Sequence, residues 1–166
     1  ADYGKVVSSA SVGGRHEAHH GGFTDDRRQL WMGGLDDSKI FVFDVATDPA
    51  HPKLVRTIDD FVAKSGGAVG PHTFYALPGR MLISALSNAN DGGGKTALVE
   101  YSTQGEYVRT IWMPEGAEYG YDVRVNADLN RMLTSSFAGK NSDMRPLGGL
   151  MKDAEAMKQF GNTMVV

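Results

Sequence analysis

The sequence predicts an all-β chain of the β-propeller class, and three observations carry that prediction. Apolar runs LWMGGL, MLISAL and MLTSSF start at Leu30, Met81 and Met132, 51 residues apart each time. The segments Val55-Arg56-Thr57-Ile58 and Val108-Arg109-Thr110-Ile111 match letter for letter at an offset of 53. Turn residues, among them many of the 21 glycines, separate short β-branched and aromatic runs throughout. A period of about 50 residues with strand-like content is what one propeller blade shows. The units fall at residues 15–65, 66–117 and 118–166, two to three blades in all. A closed ring takes about four to eight blades. Residues 1–166 are therefore expected to be part of a single propeller domain of a longer, seven-bladed ring. A leading segment and later blades are expected to lie outside this sequence.

The elements follow in order. Lys5–Val12 reads as a strand that ends at Gly13-Gly14, and residues 15–22 as a histidine-rich turn closed by Gly21-Gly22. Asp25–Arg28 is a tight turn before the strand Gln29–Gly33. After the turn Asp36-Asp37-Ser38, Lys39–Val45 is β-branched and aromatic, as a buried strand should be. Asp48-Pro49 and His51-Pro52 break the chain before Leu54–Ile58. The second unit repeats the order: His72–Leu77, a turn at Pro78-Gly79-Arg80, then Met81–Leu86. Thr96–Tyr101 and Glu106–Trp112 follow, joined by Thr103-Gln104-Gly105. The loop Ser87–Lys95 carries Gly92-Gly93-Gly94-Lys95. It lacks the full phosphate-loop frame and precedes a strand, so it reads as a flexible interblade loop. The third unit holds Tyr121–Val125, a turn at Asn126–Asn130, and Met132–Phe137. Between residues 145 and 160, Leu150, Met151, Ala154, Met157 and Phe160 approximate a helical stripe, which predicts a short inserted helix. Gly161 ends it, and Thr163–Val166 begins another strand.

Composition excludes several functions. Net charge is −3, so no broad basic face is available to nucleic acid. No apolar stretch approaches the ~18 residues of a membrane span, and the first residues show no secretory-leader pattern. Cysteine is absent, which removes disulfides, thiolate ligands and a cysteine nucleophile from this stretch. Oligomeric state is left open, a homo-oligomer included.

The chemistry lies in the histidines. His16-Glu17-Ala18-His19-His20 contains the letters H-E-x-x-H, but that zinc-protease motif needs a helix. Paired glycines on both sides disfavour one. His51 sits between Pro-containing turns and reads as exposed. Neighbouring residues on a regular strand point to opposite faces. His19 and His20 can thus share one ion only if the backbone is irregular. His72 stands one blade on, at the matching loop-to-strand junction, and Asp122 at the matching place in the third unit. Imidazoles with a carboxylate suit a redox or Lewis-acid metal. The competing reading is that each group only hydrogen-bonds to the next blade. For Tyr75, Tyr119 and Tyr121 the default is aromatic packing.

At these residues the chain resembles the selenium-binding protein family, in particular its bacterial branch of methanethiol oxidases. The stretches that carry the resemblance are Arg15–Phe23, Ile40–Val45, Pro49–Leu54, Pro71-His72-Thr73, Met81–Leu86 and Gly120-Tyr121-Asp122. It covers nearly the whole chain in order. It implies a propeller several blades long and a copper enzyme. That enzyme would turn methanethiol, O2 and water into formaldehyde, hydrogen sulfide and hydrogen peroxide, with export to the periplasm. His19, His20 and His72 match proposed copper ligands, and further ligands would come from the rest of the same propeller. Glu17 or Asp122 would relay protons or orient a ligand. Animal members carry cysteines shortly after the histidine pair. Gly21–Leu30 has none here, which favours the oxidase over selenium binding through sulfur. The alternative is a non-catalytic propeller that binds a selenium species or a protein partner.

Overall fold

Short β-branched and aromatic runs between Gly, Asp and Pro turns favour antiparallel hairpins. Each run has a face to bury, and each turn brings its neighbour alongside. The computed structural model describes residues 3–90, 94–158 and 163–166, and there the hairpins build three sheets. The first holds β1 (Ala18–Phe23), β2 (Gln29–Gly34), β3 (Lys39–Asp44) and β4 (Lys53–Ile58) in that order. A one-turn helix, α1 (Phe61–Ser65), leads to the second sheet. Its strands are β5 (Ala68–Leu77), β6 (Arg80–Asn88), β7 (Ala97–Ser102) and β8 (Tyr107–Trp112). The third sheet contains β9 (Gly120–Asn126) and β10 (Arg131–Ser136). The helices α2 (Lys140–Asp143), α3 (Leu147–Leu150) and α4 (Ala154–Lys158) then intervene before β11 (Met164–Val165), which pairs with β10. All neighbouring strands are antiparallel. Strands β1, β5 and β9 pack beside one another as the inner edges of successive blades. This is the arc of a β-propeller. The strands β2, β6 and β10 start at Gln29, Arg80 and Arg131 and keep the 51-residue spacing.

The core lies between blades. Trp31, Ile40 and Val42 of the first blade meet Phe74, Met81, Ile83 and Val99 of the second, with Phe61 stacked on Tyr101 at 6.2 Å. Leu82 and Leu98 meet Val123 at the next junction. Two glycines permit the close approach. A Cβ on Gly22 would run into the Phe74 carbonyl, and one on Gly120 into the Ala85 carbonyl. Among the described residues one carboxylate is buried: Glu100, 1% exposed, is held by Arg80 and by Arg109, whose Nε lies 2.6 Å from Oε2.

Four expectations change. Lys5–Val12 forms no strand: it joins none of the three sheets, and Val6 and Val7 stay exposed. The histidine-rich turn at 15–22 is a strand from Ala18 onward. Helix α1 is too short to leave a periodic pattern. The single helix expected at 145–160 is two pieces, α3 and α4, and α2 precedes it. Pro146 has no amide hydrogen and breaks the run before α3, and Asp153 accepts the Ala156 amide at 3.0 Å to start α4. Leu150 is buried, yet Met151 is exposed, so the stripe holds only in part. Phe160, Gly161 and Gly92-Gly93 lie outside the described residues. No helix among those described is long and apolar enough to cross a membrane.

Gly22→Ala is expected to destabilise the full-length protein by about 1–3 kcal/mol through overpacking at the blade junction, read from its denaturant midpoint. Removing both arginines, Arg80→Ala with Arg109→Ala, should cost about 3–5 kcal/mol, because it leaves the Glu100 charge buried and unpaired. Glu100→Gln should cost less in the same measurement, since the two half-exposed arginines return to water.

Candidate metal centre

An extra residue in an antiparallel strand breaks alternation and re-aims its neighbours. Each inner strand has such a bulge, and all three sit at one level. Ala18 pairs with Gly34 and Gly21 with Met32, which leaves His19-His20 opposite Gly33. Pro71 pairs with Ala85 and Phe74 with Ile83, which leaves His72-Thr73 opposite Ser84. Gly120 pairs with Ser136 and Val123 with Thr134, which leaves Tyr121-Asp122 opposite Ser135. Gly33, Ser84 and Ser135 are themselves 51 residues apart. The irregular backbone that a shared ion demands of His19 and His20 is therefore present. Register also shifts one expected match: Tyr121 corresponds to His72, and Asp122 to Thr73.

The bulges bring the three histidines together. One ring nitrogen from each of His19, His20 and His72 lies within 4.8 Å of the others. Ring centroids are 4.7 Å apart for His19 and His20, 5.0 Å for His19 and His72, and 4.4 Å for His20 and His72. Burial rises across the set: His20 is exposed, His19 intermediate, and His72 fully buried. Glu17 takes a left-handed backbone (φ 44°) just before β1, and its carboxylate lies 3.4 Å from His19 Nδ1.

His72 is oriented from the third blade. Its Nδ1 lies 3.0 Å from the Tyr121 carbonyl oxygen and 3.0 Å from Thr73 Oγ1. A carbonyl can only accept, so in the neutral ring the proton belongs on Nδ1. Nε2 then carries the lone pair, and it is buried with no hydrogen-bond partner among the described residues. Such an atom inside a cluster of imidazoles fits a metal ligand better than a purely structural histidine. Burial first, and then the nearby His20 and His19, together hold the His72 pKa down to about 4. The ring therefore stays neutral and able to donate electrons at ordinary pH. The Tyr121 ring lies over His72 at 4.2 Å, and Phe137 backs Tyr121 at 5.1 Å.

The other candidates do not join this cluster, although the Asp122 carboxylate is near enough to favour a charged His72 slightly. Asp122 receives an ion pair from Arg124 and the Val123 amide at 2.9 Å. His16 pairs with Asp37 at 2.7 Å and packs on Phe41, so it is held by the first blade. No helix forms at residues 16–20, which removes the H-E-x-x-H geometry. His51 is exposed beside Asp48. Sequence reading missed Ser84 and the Tyr121 carbonyl. A main-chain acceptor leaves no letter, but the 51-residue spacing of Gly33, Ser84 and Ser135 marks the bulge level.

Comparisons with known proteins give the family and agree with the fold. The family described as "56kDa selenium binding protein (SBP56)" matches residues 2–166. The chain is 57% identical to the methanethiol oxidase of Ruegeria pomeroyi, over 99% of this chain and 41% of that protein. It is 59% identical to the methanethiol oxidase of a Hyphomicrobium species, over 99% of this chain and 38% of that protein. The chain thus spans about two fifths of these relatives' length. In fold it is similar to the crystal structure of a hypothetical selenium-binding protein from Sulfolobus tokodaii. That likeness has a TM-score of 0.69 at 20% identity, and covers 92% of this chain and 39% of that one. With three bulged inner strands and a family match along nearly its whole length, the chain belongs to the 56 kDa selenium-binding protein family.

Proposed function

We propose that this chain forms part of a copper-dependent thiol oxidase. It would take methanethiol, O2 and water to formaldehyde, hydrogen sulfide and hydrogen peroxide. The observation that carries the reading is the buried, unpartnered Nε2 of His72 set against His19 and His20. The relatives named methanethiol oxidase support the substrate class.

His19, His20 and His72 would hold the metal, with further ligands from the rest of the propeller. Copper bound there would offer the thiol sulfur a soft partner and accept electrons on their way to O2. The chain's own residues set up the site. The Tyr121 carbonyl keeps the His72 lone pair directed inward, and the Tyr121 ring shields one side of the imidazole. Glu17, beside His19 Nδ1, would fix that ring's orientation and exchange a proton with it. Asp122 would steady the third bulge through Arg124, with proton relay as its second possible duty. Exposure of His20 leaves a side of the cluster open to a small molecule. The enzyme would work in the periplasm.

In full-length protein, copper content by elemental analysis is expected to drop in His20→Ala and His72→Ala. Methanethiol-dependent peroxide formation should fall with it by at least about 100-fold, beyond what loss of an outer-shell partner costs. A metal-free wild-type protein that consumes no oxygen with any small thiol would sink the proposal and favour the non-catalytic binding propeller. Cell fractionation should recover the copper-bound form with periplasmic markers; recovery with cytosolic markers would contradict the location.

A further inference from the structure

One hydroxyl joins two neighbouring bulges. Ser84, 2% exposed on β6, stands opposite His72-Thr73. Its Oγ accepts the Thr73 amide at 3.0 Å and donates to the Tyr121 carbonyl at 2.5 Å. That carbonyl is the same atom that receives His72 Nδ1–H. Thr73 Oγ1 also reaches it, at 3.3 Å. We propose that Ser84 is a positioning residue of the metal centre: through the Tyr121 carbonyl it holds His72 as the Nδ1–H tautomer, so that Nε2 presents its lone pair to His19 and His20. The inference rests on the metal-centre reading above and adds a residue to it.

The repeat separates this role from a structural one. In the third blade Ser135 takes the matching place, and its Oγ accepts the Asp122 amide at 3.4 Å. In the first blade the matching residue is Gly33, which has no side chain, and the His19-His20 bulge still forms. The bulge therefore does not require a hydroxyl opposite it. What the hydroxyl adds in the second blade is a donor to the neighbouring strand's carbonyl, at the one bulge whose histidine is fully buried. A buried imidazole has no water to fix its tautomer, so the protein must do it. Without Ser84 the Tyr121 carbonyl loses a close hydrogen-bond donor and the Thr73 amide loses its acceptor. His72 is then free to turn or to move its proton to Nε2.

The test uses full-length protein stripped of metal, with copper(II) alone as the probe in competition with a chromogenic chelator. Ser84→Ala is expected to weaken copper binding by about 10–100-fold, the range seen when a ligand's hydrogen-bond partner is lost. Ser84→Thr, which restores the hydroxyl, should recover most of the affinity. In parallel, long-range proton–nitrogen NMR of histidine-labelled apo protein reads the tautomer directly, with His72 assigned by its absence in His72→Ala. Wild type should show a protonated Nδ1 and a bare Nε2, and Ser84→Ala a mixed or reversed pattern. A wild-type His72 protonated on Nε2 overturns the inference, even if Ser84→Ala does not fold. So does a Ser84→Ala affinity within about twofold of wild type while His72→Ala binds far more weakly, since partner loss should exceed that. Undiminished copper binding in His72→Ala would instead remove the metal-centre reading and leave the tautomer result standing.

Discussion

Everything at the centre of this arc depends on a two-against-one register. Each inner strand places two residues where its neighbour has one, at Gly33, Ser84 and Ser135. Regular alternation would send His19 and His20 to opposite faces. The bulge cancels that alternation, and the packing of β1 against β5 then brings His72 to the same point. The blade stack also needs close backbone contact, which explains glycine at 22 and 120, where any side chain would meet a carbonyl of the neighbouring blade.

The arrangement places opposing demands on His72. Full burial disfavours its charged form and pushes its pKa down to about 4. The same burial removes water as a partner for Nε2. A structure with only stability to satisfy would pair that atom or replace the residue with an apolar one. The chain instead satisfies Nδ1 from the third blade and leaves Nε2 bare. Contrast Glu100, also buried but held by two arginines. One buried polar group is closed off and the other is kept open toward its neighbours.

The repeat, the blade order and the three histidines were legible in the sequence, because strand runs and histidines are letters with a spacing. The bulge was only half legible. Flanking glycines showed that the backbone was able to deviate, but register depends on pairing that no single strand encodes. Asp122 looked like the counterpart of His72 by counting, and pairing moved that match to Tyr121. The Tyr121 carbonyl was invisible, since every residue has one. The helical insert was legible as an apolar stripe and misread in form. Pro146 and the Asp153 cap divide it, and the helix before it, α2, ties down far from its own sheet. The Lys140 amide donates to Ser87 Oγ at 3.2 Å, and its ammonium donates to the Asp36 carbonyl.

Bulged residues stand outside the regular pairing of their own sheet, so the side chains they carry are not set by the ladder on either side of them. His19-His20, His72-Thr73 and Tyr121-Asp122 fill the same mechanical socket with different chemistry. A ring built this way is a turret of interchangeable tools. Substitution within a socket can alter what the axis does one blade at a time while the sheets stay as they are. Deletion of a single socket residue is a different event: the flanking pairs, such as Ala18 with Gly34 and Gly21 with Met32, would keep their faces while the one residue left opposite Gly33 returned to regular pairing, so the sheet would survive and the socket would not.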